Sequence, residues 1–203
     1  MPVGDAVRRL AGTLDELFVG GIVSASSPQG RFASSAALLD GWVMQRVRVH
    51  GKHMFIGFVP PFEGETYEAG VALLEGAAAG SGEPILPEDA PWPDRWVHIH
   101  LGLYGWWRFN GDETVVDEGH GVAHRIPNVP KGEWNGHSET RWGEGFGEAK
   151  AGEWEPPEPV GAVRLRLFND HAVADLVGPN RCDLITDEER IKAESKLGPD
   201  PLD

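Results

Sequence analysis

The chain is poor in the residues that mark disulfide frameworks, cysteine-based zinc sites and membrane spans. Cys182 is the single cysteine among 203 residues, which excludes an internal disulfide and predicts a small buried hydrophobe at this position. No apolar run is long enough to cross a bilayer, and the first residues show no secretory leader. We therefore expect a soluble, cytoplasmic protein with no membrane partner, no bound metal and no cofactor.

Basic residues are also scarce. The chain has 18 Lys and Arg against 32 Asp and Glu, which gives a formal net charge of -14. Residues 60–94 contain eight acids and no Lys or Arg, and residues 110–159 contain eleven acids and four bases. Both segments are dense in Gly, Pro and Glu, a composition typical of surface loops. We therefore expect one domain over residues 1–203 that carries two long acidic insertions.

The rest of the sequence predicts a set of short strands flanked by helices. Apolar residues between positions 5 and 18 recur at helical spacing, and a shorter helix is expected at 34–39. Thr186 followed by Glu189 predicts the capped N-terminus of a closing helix over residues 186–197. These helices lie before, within and after the strand-like part of the chain.

Polar and apolar residues alternate in the strand-like runs. Val47 and Val49, for example, alternate with Arg46, Arg48 and His50, and period two with one polar face is typical of half-buried antiparallel strands. The fold expected is mainly β, a two-sheet antiparallel β-sandwich with flanking helices. The predicted strands cover residues 22–26, 43–49, 54–59, 96–109, 163–168 and 172–177.

The second residue, Pro2, is open to two interpretations. Removal of Met1, which is usual before a small residue, leaves a secondary amine at the terminus of the chain. An α-amine has a pKa of about 8, so part of it is unprotonated and nucleophilic at neutral pH. Alternatively, Pro2 lies at the first turn of a helix, where its missing N–H costs nothing.

Several motifs in fixed order favour the first interpretation. The chain contains MPVGDAVRRLA (1–11), VSASSPQGRFA (23–33), GKHMF (51–55) and VHIHLGLYGWWRF (97–109). Together with the later VRLRLF, ADLVGPNRCDLIT and LGPDP, it resembles the N-terminal catalytic domain of the formamidopyrimidine-DNA glycosylase and endonuclease VIII family. The resemblance implies base excision repair of damaged or abasic DNA. In this chemistry the Pro2 amine forms a Schiff base with C1′ of the nucleotide, and an elimination then cuts the backbone.

The resemblance also implies a set of DNA-binding residues. Lys52 matches the lysine that contacts the phosphate of the target nucleotide, with His53 beside it; the alternative is a solvated edge charge. Leu103 and Tyr104 fall where relatives carry residues that fill the gap left by a flipped-out base; the alternative is core and turn residues of a long hairpin. The basic residues expected to attract DNA are Arg8, Arg9, Arg31, Arg46, Arg48 and Lys52.

His98 and His100 alternate with apolar residues and therefore share one strand face. Two histidines at this spacing can bind a metal, but no third ligand is suggested by the sequence, and relatives use none there. We expect a hydrogen-bonded structural pair without a metal.

Two departures from the family pattern weaken the enzymatic interpretation. Val3 stands where the family has the glutamate that acts as general acid and base, a function worth about 10²–10⁴ in rate. The chain also ends before the helix-two-turn-helix and zinc-finger parts that supply much of the grip on DNA. We therefore expect either an impaired DNA glycosylase and AP lyase domain or a non-catalytic relative. The non-catalytic relative would bind a protein partner through its acidic insertions.

Overall fold

The computed structural model describes residues 3–61, 92–116 and 140–199, so Pro2 and much of both predicted insertions fall outside it. The described elements in chain order are α1 (Val3–Phe18), β1 (Ser24–Ser26), α2 (Ala33–Leu39), β2 (Val43–His50), β3 (His53–Val59), β4 (Arg95–His100), β5 (Trp106–Gly111), a 3-10 helix (Glu113–Val116), β6 (Thr140–Trp142), β7 (Val163–Phe168), β8 (Ala172–Val177), β9 (Arg181–Thr186) and α3 (Asp187–Lys196).

Two sheets face each other across the core. The four-stranded sheet has the order β2-β3-β4-β9, and all its pairs are antiparallel. The second sheet has the order β1-β7-β8-β5-β6 and is antiparallel except at its edge, where the short β6 pairs parallel to β5. The predicted two-sheet antiparallel sandwich with flanking helices is confirmed, and β6 adds a parallel edge that the sequence pattern did not indicate.

The core forms where the apolar faces of helix α1 and of both sheets meet. α1 packs mainly on β2 and buries the predicted stripe of Val7, Leu10, Leu14 and Phe18. Alternation along the strands places every second residue on the inner face of its sheet. Large side chains from both inner faces fill the space between the sheets. The largest of these inner residues include Met44, Ile56, Ile99, Trp107, Phe109, Leu165, Leu167 and Leu176, and Cys182 is buried among them.

The predicted strand over residues 96–109 is wrong in one respect, because the chain divides it between the two sheets. β4 ends at His100, and β5 begins at Trp106 in the other sheet. Between them, Gly102 has φ +68°, and the Asn180 side chain occupies the space that its Cβ would need. The backbone of Gly105 approaches Leu101 and donates a hydrogen bond to its carbonyl at 2.9 Å. Gly102 and Gly105 therefore allow a sharp turn. The strand-forming residues on either side of it made the sequence look like one continuous strand.

The outer face of the four-stranded sheet is covered by α3. Its capping box is as predicted, with the Thr186 hydroxyl accepting from the Glu189 N–H while the Glu189 side chain accepts in return. Arg190 is buried above the Trp96 ring at 4.8 Å. In the described part of the chain, no helix is long and apolar enough to cross a membrane.

Candidate nucleic-acid interface

Strand register brings four connecting segments to one end of the sandwich, which we call the turn end. The hairpin at 51–52 joins β2 to β3, and His53 pairs with His100, the last residue of β4. The turn at 101–105 follows, and the loop at 178–180 leads into Arg181 opposite His100. The segment 27–32 reaches the same end, since the Ser27 hydroxyl donates to the Arg164 carbonyl near the start of β7 at 2.7 Å.

The turn at 101–105 presents two large side chains to solvent. Leu103 is 89% exposed and Tyr104 is 81% exposed, so neither side chain gains the stabilisation that burial gives to apolar groups. Asn180 fills the space beside Gly102, and the Tyr104 carbonyl lies close to Gly178. The loop at 178–180 therefore supports the turn from behind. Neither side chain belongs to the core, so that part of the alternative is wrong, but both lie in a turn, as the alternative also allowed.

Lys52 occupies the tip of the β2–β3 hairpin. It follows Gly51, whose φ of +58° makes the tight turn, and its side chain is exposed. His50 and His53 form the last strand pair below it. The register therefore brings Lys52 to the same end as Leu103 and Tyr104.

The histidines below Lys52 form a connected cluster. The predicted pairing between His98 and His100 is wrong, because the buried His98 shares a hydrogen bond of 2.9 Å with His53 instead. The sheet register places His53 opposite His100 and Phe55 opposite His98, so these side chains share one sheet face and His53 reaches His98 along the diagonal. His98 stacks on Phe55 at 4.4 Å, and His53 lies 4.6 Å from His100 between ring centroids.

Burial decides the charge of this cluster. Burial, together with neighbouring imidazoles and the Arg181 guanidinium, lowers the pKa of both His53 and His98 to about 4. Burial also lowers the pKa of His100, helped by Lys52 and Arg181. The cluster is therefore neutral at physiological pH, and its hydrogen bond needs one ring nitrogen to donate and the other to accept.

Arg181 is a cation at the turn end that sequence reasoning missed. It opens β9, a strand absent from the predictions, and its side chain is 53% exposed. The signal was present, since Cys182 and Leu184 face the core while Arg181 and Asp183 alternate with them. Arg31, by contrast, was predicted, and its exposed side chain lies in the 27–32 segment.

Two of the arginines expected to attract DNA contact other parts of the chain in the structure, and their part in DNA binding stays a prediction. The Arg48 guanidinium forms an ion pair with Glu194 of α3 at 3.0 Å. Arg46 lies over the Trp92 ring at 4.1 Å from its centroid. Both side chains leave β2 on its outer face, where they hold α3 and the residues before β4 against the sheet.

Pro2 lies outside the described residues, so its distance from Lys52 stays a prediction. The backbone of α1 begins at Val3, directly after it. The other end of α1 lies beside the start of β2, where the Gly20 N–H donates to the Met44 carbonyl at 2.9 Å. Among the described residues, no group of three or more His, Cys, Asp and Glu side chains is placed to hold a metal ion.

Comparison with known proteins gives a match along the whole chain. The chain is 31% identical over 202 residues to Endonuclease 8 1 of Mycobacterium tuberculosis (strain ATCC 25618 / H37Rv). The aligned region covers 100% of this chain and 49% of the relative. Endonuclease 8 1 of Mycobacterium bovis gives the same values. The chain thus spans about half the length of the curated relatives it matches.

Similar solved structures were also found. A complex of Lactococcus lactis Fpg with DNA containing an abasic site aligns with 97% of this chain and 47% of its own, at 12% identity and a TM-score of 0.48. A complex of MutM with DNA containing carbocyclic 8-oxo-G covers 96% and 48%, with the same identity and TM-score. No protein-family profile matches the chain.

Proposed function

We propose that the chain, which is 31% identical along its whole length to Endonuclease 8 1 of two mycobacteria, belongs to the formamidopyrimidine-DNA glycosylase and endonuclease VIII family and binds damaged or abasic DNA at the turn end. We further propose that residues 1–203 correspond to the N-terminal catalytic domain of the family. Its chemistry is Schiff-base formation by the Pro2 amine at an abasic site, with slow release of damaged bases.

The exposure of Leu103 and Tyr104 on a supported turn at the same end as Lys52 carries this proposal. Exposed apolar side chains of this size mark binding surfaces. A flipped-out nucleotide leaves neighbouring bases unstacked at a cost of a few kcal/mol, which an apolar and aromatic wedge offsets by stacking on them. A lysine at the same end supplies the phosphate contact that fixes the backbone while the wedge is inserted.

The direction of α1 supports a catalytic role for Pro2. α1 packs on β2 and ends beside the start of that strand. A helix of 16 residues is about 24 Å long and β2 spans a similar distance, so the N-terminus of α1 is directed towards the end of β2, where Lys52 lies. The sequence thus joins the proposed nucleophile directly to a helix aimed at the turn end.

Val3 decides how fast base release should be relative to cleavage at abasic sites. Its side chain has no ionisable group, so it cannot supply the proton that base release requires. An amine alone suffices to form an iminium ion with the aldehyde of an abasic site. We therefore expect cleavage at abasic sites to persist while release of oxidised bases is slower by about 10²–10⁴.

The test is borohydride trapping on DNA. Protein lacking Met1 is incubated at low salt, where counterion release favours binding, with a duplex containing an abasic site and then reduced. A covalent adduct is expected, and protein that retains Met1 or has an acetylated terminus should give none. Pro2→Gly is unsuitable as a control because glycine also offers a terminal amine.

Two further variants separate the proposed roles. Val3→Glu should raise the rate at which an oxidised base is released. The yield of the trapped adduct should not depend on this substitution. Leu103→Ser with Tyr104→Ser should weaken binding to the abasic duplex, whereas Ile191→Ser, which removes an exposed apolar side chain from α3, should not. If unblocked protein gives no adduct while a family lyase does so in parallel, the enzymatic proposal fails and the protein-binding alternative is favoured.

A further inference from the structure

Helix α1 runs along the sandwich between its two ends. Its first residue, Val3, follows the proposed nucleophile Pro2, and its last turn lies beside the start of β2, at the end opposite the turn end. The helix packs on β2 and β3 through its apolar stripe. Burial of apolar surface is non-directional. The stripe therefore selects the buried face of α1, and directional contacts are needed to fix the helix along its axis.

One directional contact comes from the second sheet. The Asn169 side-chain amide, in the hairpin between β7 and β8, donates to the Leu17 carbonyl at 3.0 Å. Leu17 lies in the last turn of α1, where carbonyl groups have no partner within the helix. The neighbouring Phe18 carbonyl accepts from the Gly21 N–H at 3.1 Å. Asn169 therefore ties the C-terminal turn of α1 to a sheet on which the apolar stripe does not mainly pack.

The hairpin fixes the orientation of the Asn169 amide. Its Oδ1 accepts from the His171 N–H at 2.9 Å and from the Ala172 N–H at 2.8 Å. With two backbone donors on one side and a carbonyl acceptor on the other, only one assignment of the amide oxygen and nitrogen satisfies all three bonds. His171 is held in turn by its bond of 2.7 Å to the buried Asp112. The group that holds α1 is therefore itself held in place by the second sheet.

A small movement at this end of α1 becomes a displacement at its other end. A helix of 16 residues is about 24 Å long, so a tilt of about 5° moves its far end by about 2 Å. Misplacing a reacting group by about 1 Å can slow a reaction by about 10²-fold. The anchoring of the last turn therefore bears on an amine that lies directly before the first residue of the helix.

We propose that Asn169 is a positioning residue for the Pro2 amine, because it ties the helix that carries this amine to the second sheet. This inference rests on the proposed function and adds to it a residue remote from the reacting atoms. α1 packs on the sheet that carries Lys52, and Asn169 adds a fixed point on the sheet whose β5 follows Leu103 and Tyr104. The amine is thereby held relative to both parts of the turn end.

The experiment separates the rate of the chemical step from DNA binding. The full chain without Met1 is mixed in saturating excess with a duplex containing an abasic site, and the rate constant for the borohydride-trapped adduct is measured. Affinity is measured on a duplex containing a tetrahydrofuran abasic analogue, which has no aldehyde. Asn169→Asp keeps the acceptor oxygen for the hairpin but removes the donor to Leu17. It should lower the rate constant about tenfold and leave the affinity for the analogue unchanged.

Asn110→Asp is the matched control. Asn110 lies on the same sheet, where its amide donates to the Glu144 carbonyl at 3.1 Å and its Oδ1 accepts from the Gly111 N–H at 2.7 Å. The same substitution there removes an amide donor and adds the same charge, but neither partner belongs to α1. Its rate constant and its affinity should both equal those of the wild type.

A second variant covers the case in which Asn169→Asp does not fold. The hydroxyl introduced by Asn169→Ser can accept from the hairpin N–H groups, but it ends one bond short of the amide nitrogen that reaches Leu17. The same slowing is expected. Urea unfolding of each variant shows that the rate constants refer to folded protein.

The outcomes separate this inference from the proposed function. A wild-type rate constant for the folded Asn169 variant would overturn the positioning role alone. Equal slowing by Asn110→Asp, or a parallel loss of affinity for the analogue, would also overturn it, because the effect would then reflect charge or DNA binding. Wild-type protein that gives no adduct while a family lyase does would overturn the proposed function, and this inference with it.

Discussion

The two ends of the sandwich use their polar residues in different ways. At the end opposite the turn end, Asp112 is fully buried, and it accepts hydrogen bonds from the Thr114 N–H at 2.9 Å and from His171 Nδ1 at 2.7 Å. Asn169 accepts from the backbone N–H groups of His171 and Ala172. We call this group of Asp112, Thr114, Asn169 and His171 the closed end.

The closed end also fixes α1 in place. The Asn169 side-chain amide donates to the Leu17 carbonyl in the last turn of the helix at 3.0 Å. The turn end instead presents Leu103, Tyr104 and Lys52 to solvent. The closed end thus satisfies its polar groups internally and stabilises the fold, whereas the turn end leaves contact-forming groups available to a ligand.

The largest expected difference between the ends concerns stability. Asp112→Ala removes a buried acceptor and leaves Thr114 and His171 without it, which should lower the free energy of unfolding by about 2–3 kcal/mol. Asp183→Ala, at the turn end, removes an exposed carboxylate and should change it by less than about 0.5 kcal/mol. Urea unfolding of both variants measures this, and equal losses would contradict the contrast.

A smaller loss is expected when the supporting glycine of the turn is changed. Gly102→Ala places a Cβ 2.6 Å from Asn180 Cγ at a φ of +68° and should cost about 1–3 kcal/mol. Gly161→Ala meets open space at a φ of +79°, so it should cost only the backbone strain of about 1–2 kcal/mol. Binding to the abasic duplex is measured as well, and only Gly102→Ala should weaken it. Weaker binding by both variants would show that the conformation of the turn at 101–105 is not what supports binding.

The two ends should also lose stability in different pH ranges. The pKa of His53 and His98 is lowered from 6.5 to about 4, mainly by burial. Between these two pH values the unfolded chain therefore binds more protons than the folded chain. Their contribution is therefore complete above pH 6.5 and is lost as the pH falls towards 4. Hydrogen bonds from Thr114 and His171 outweigh burial and lower the pKa of Asp112 below 3.8, so its contribution is lost only at more acidic pH.

Thermal unfolding at a series of pH values tests this difference. The wild-type Tm should fall between pH 6.5 and 4.5, and the double variant His53→Gln, His98→Gln should show a smaller fall. Asp112→Ala should retain the wild-type slope in this range. A wild-type Tm that is flat from pH 6.5 to 4.5 would show that the buried histidines do not control it.

The smallest expected effect concerns the wedge itself. Leu103→Ser and Tyr104→Ser replace side chains that are 89% and 81% exposed, so each should leave the free energy of unfolding within about 0.5 kcal/mol of wild type. Calorimetry measures this directly. A loss above that range would mean that the side chains contribute to the fold, and their exposure would no longer indicate a binding role.

The local elements of this protein were predictable because neighbouring residues specify them. The buried stripe of α1 follows from helical spacing, and the capping box of α3 follows from Thr186 and Glu189. The motifs around Lys52 and Leu103 indicated the resemblance to endonuclease VIII, and the 31% identity to Endonuclease 8 1 agrees with it. Prediction was poorer where strands change sheet, since the turn at 101–105 lies inside a continuous run of strand formers.

The sequence by itself determined the mainly β fold, the helices that flank it and the resemblance to endonuclease VIII, because periodicity and short motifs are properties of neighbouring residues. Only the tertiary structure decided which cations face the turn end. Arg48 and Arg181 both alternate with apolar residues in the sequence, yet Arg48 pairs with Glu194 of α3 whereas Arg181 pairs with Asp183 of its own strand and lies opposite His100. The physical reason is that strand register and helix packing bring together residues that are far apart in the sequence, and no local pattern records those contacts.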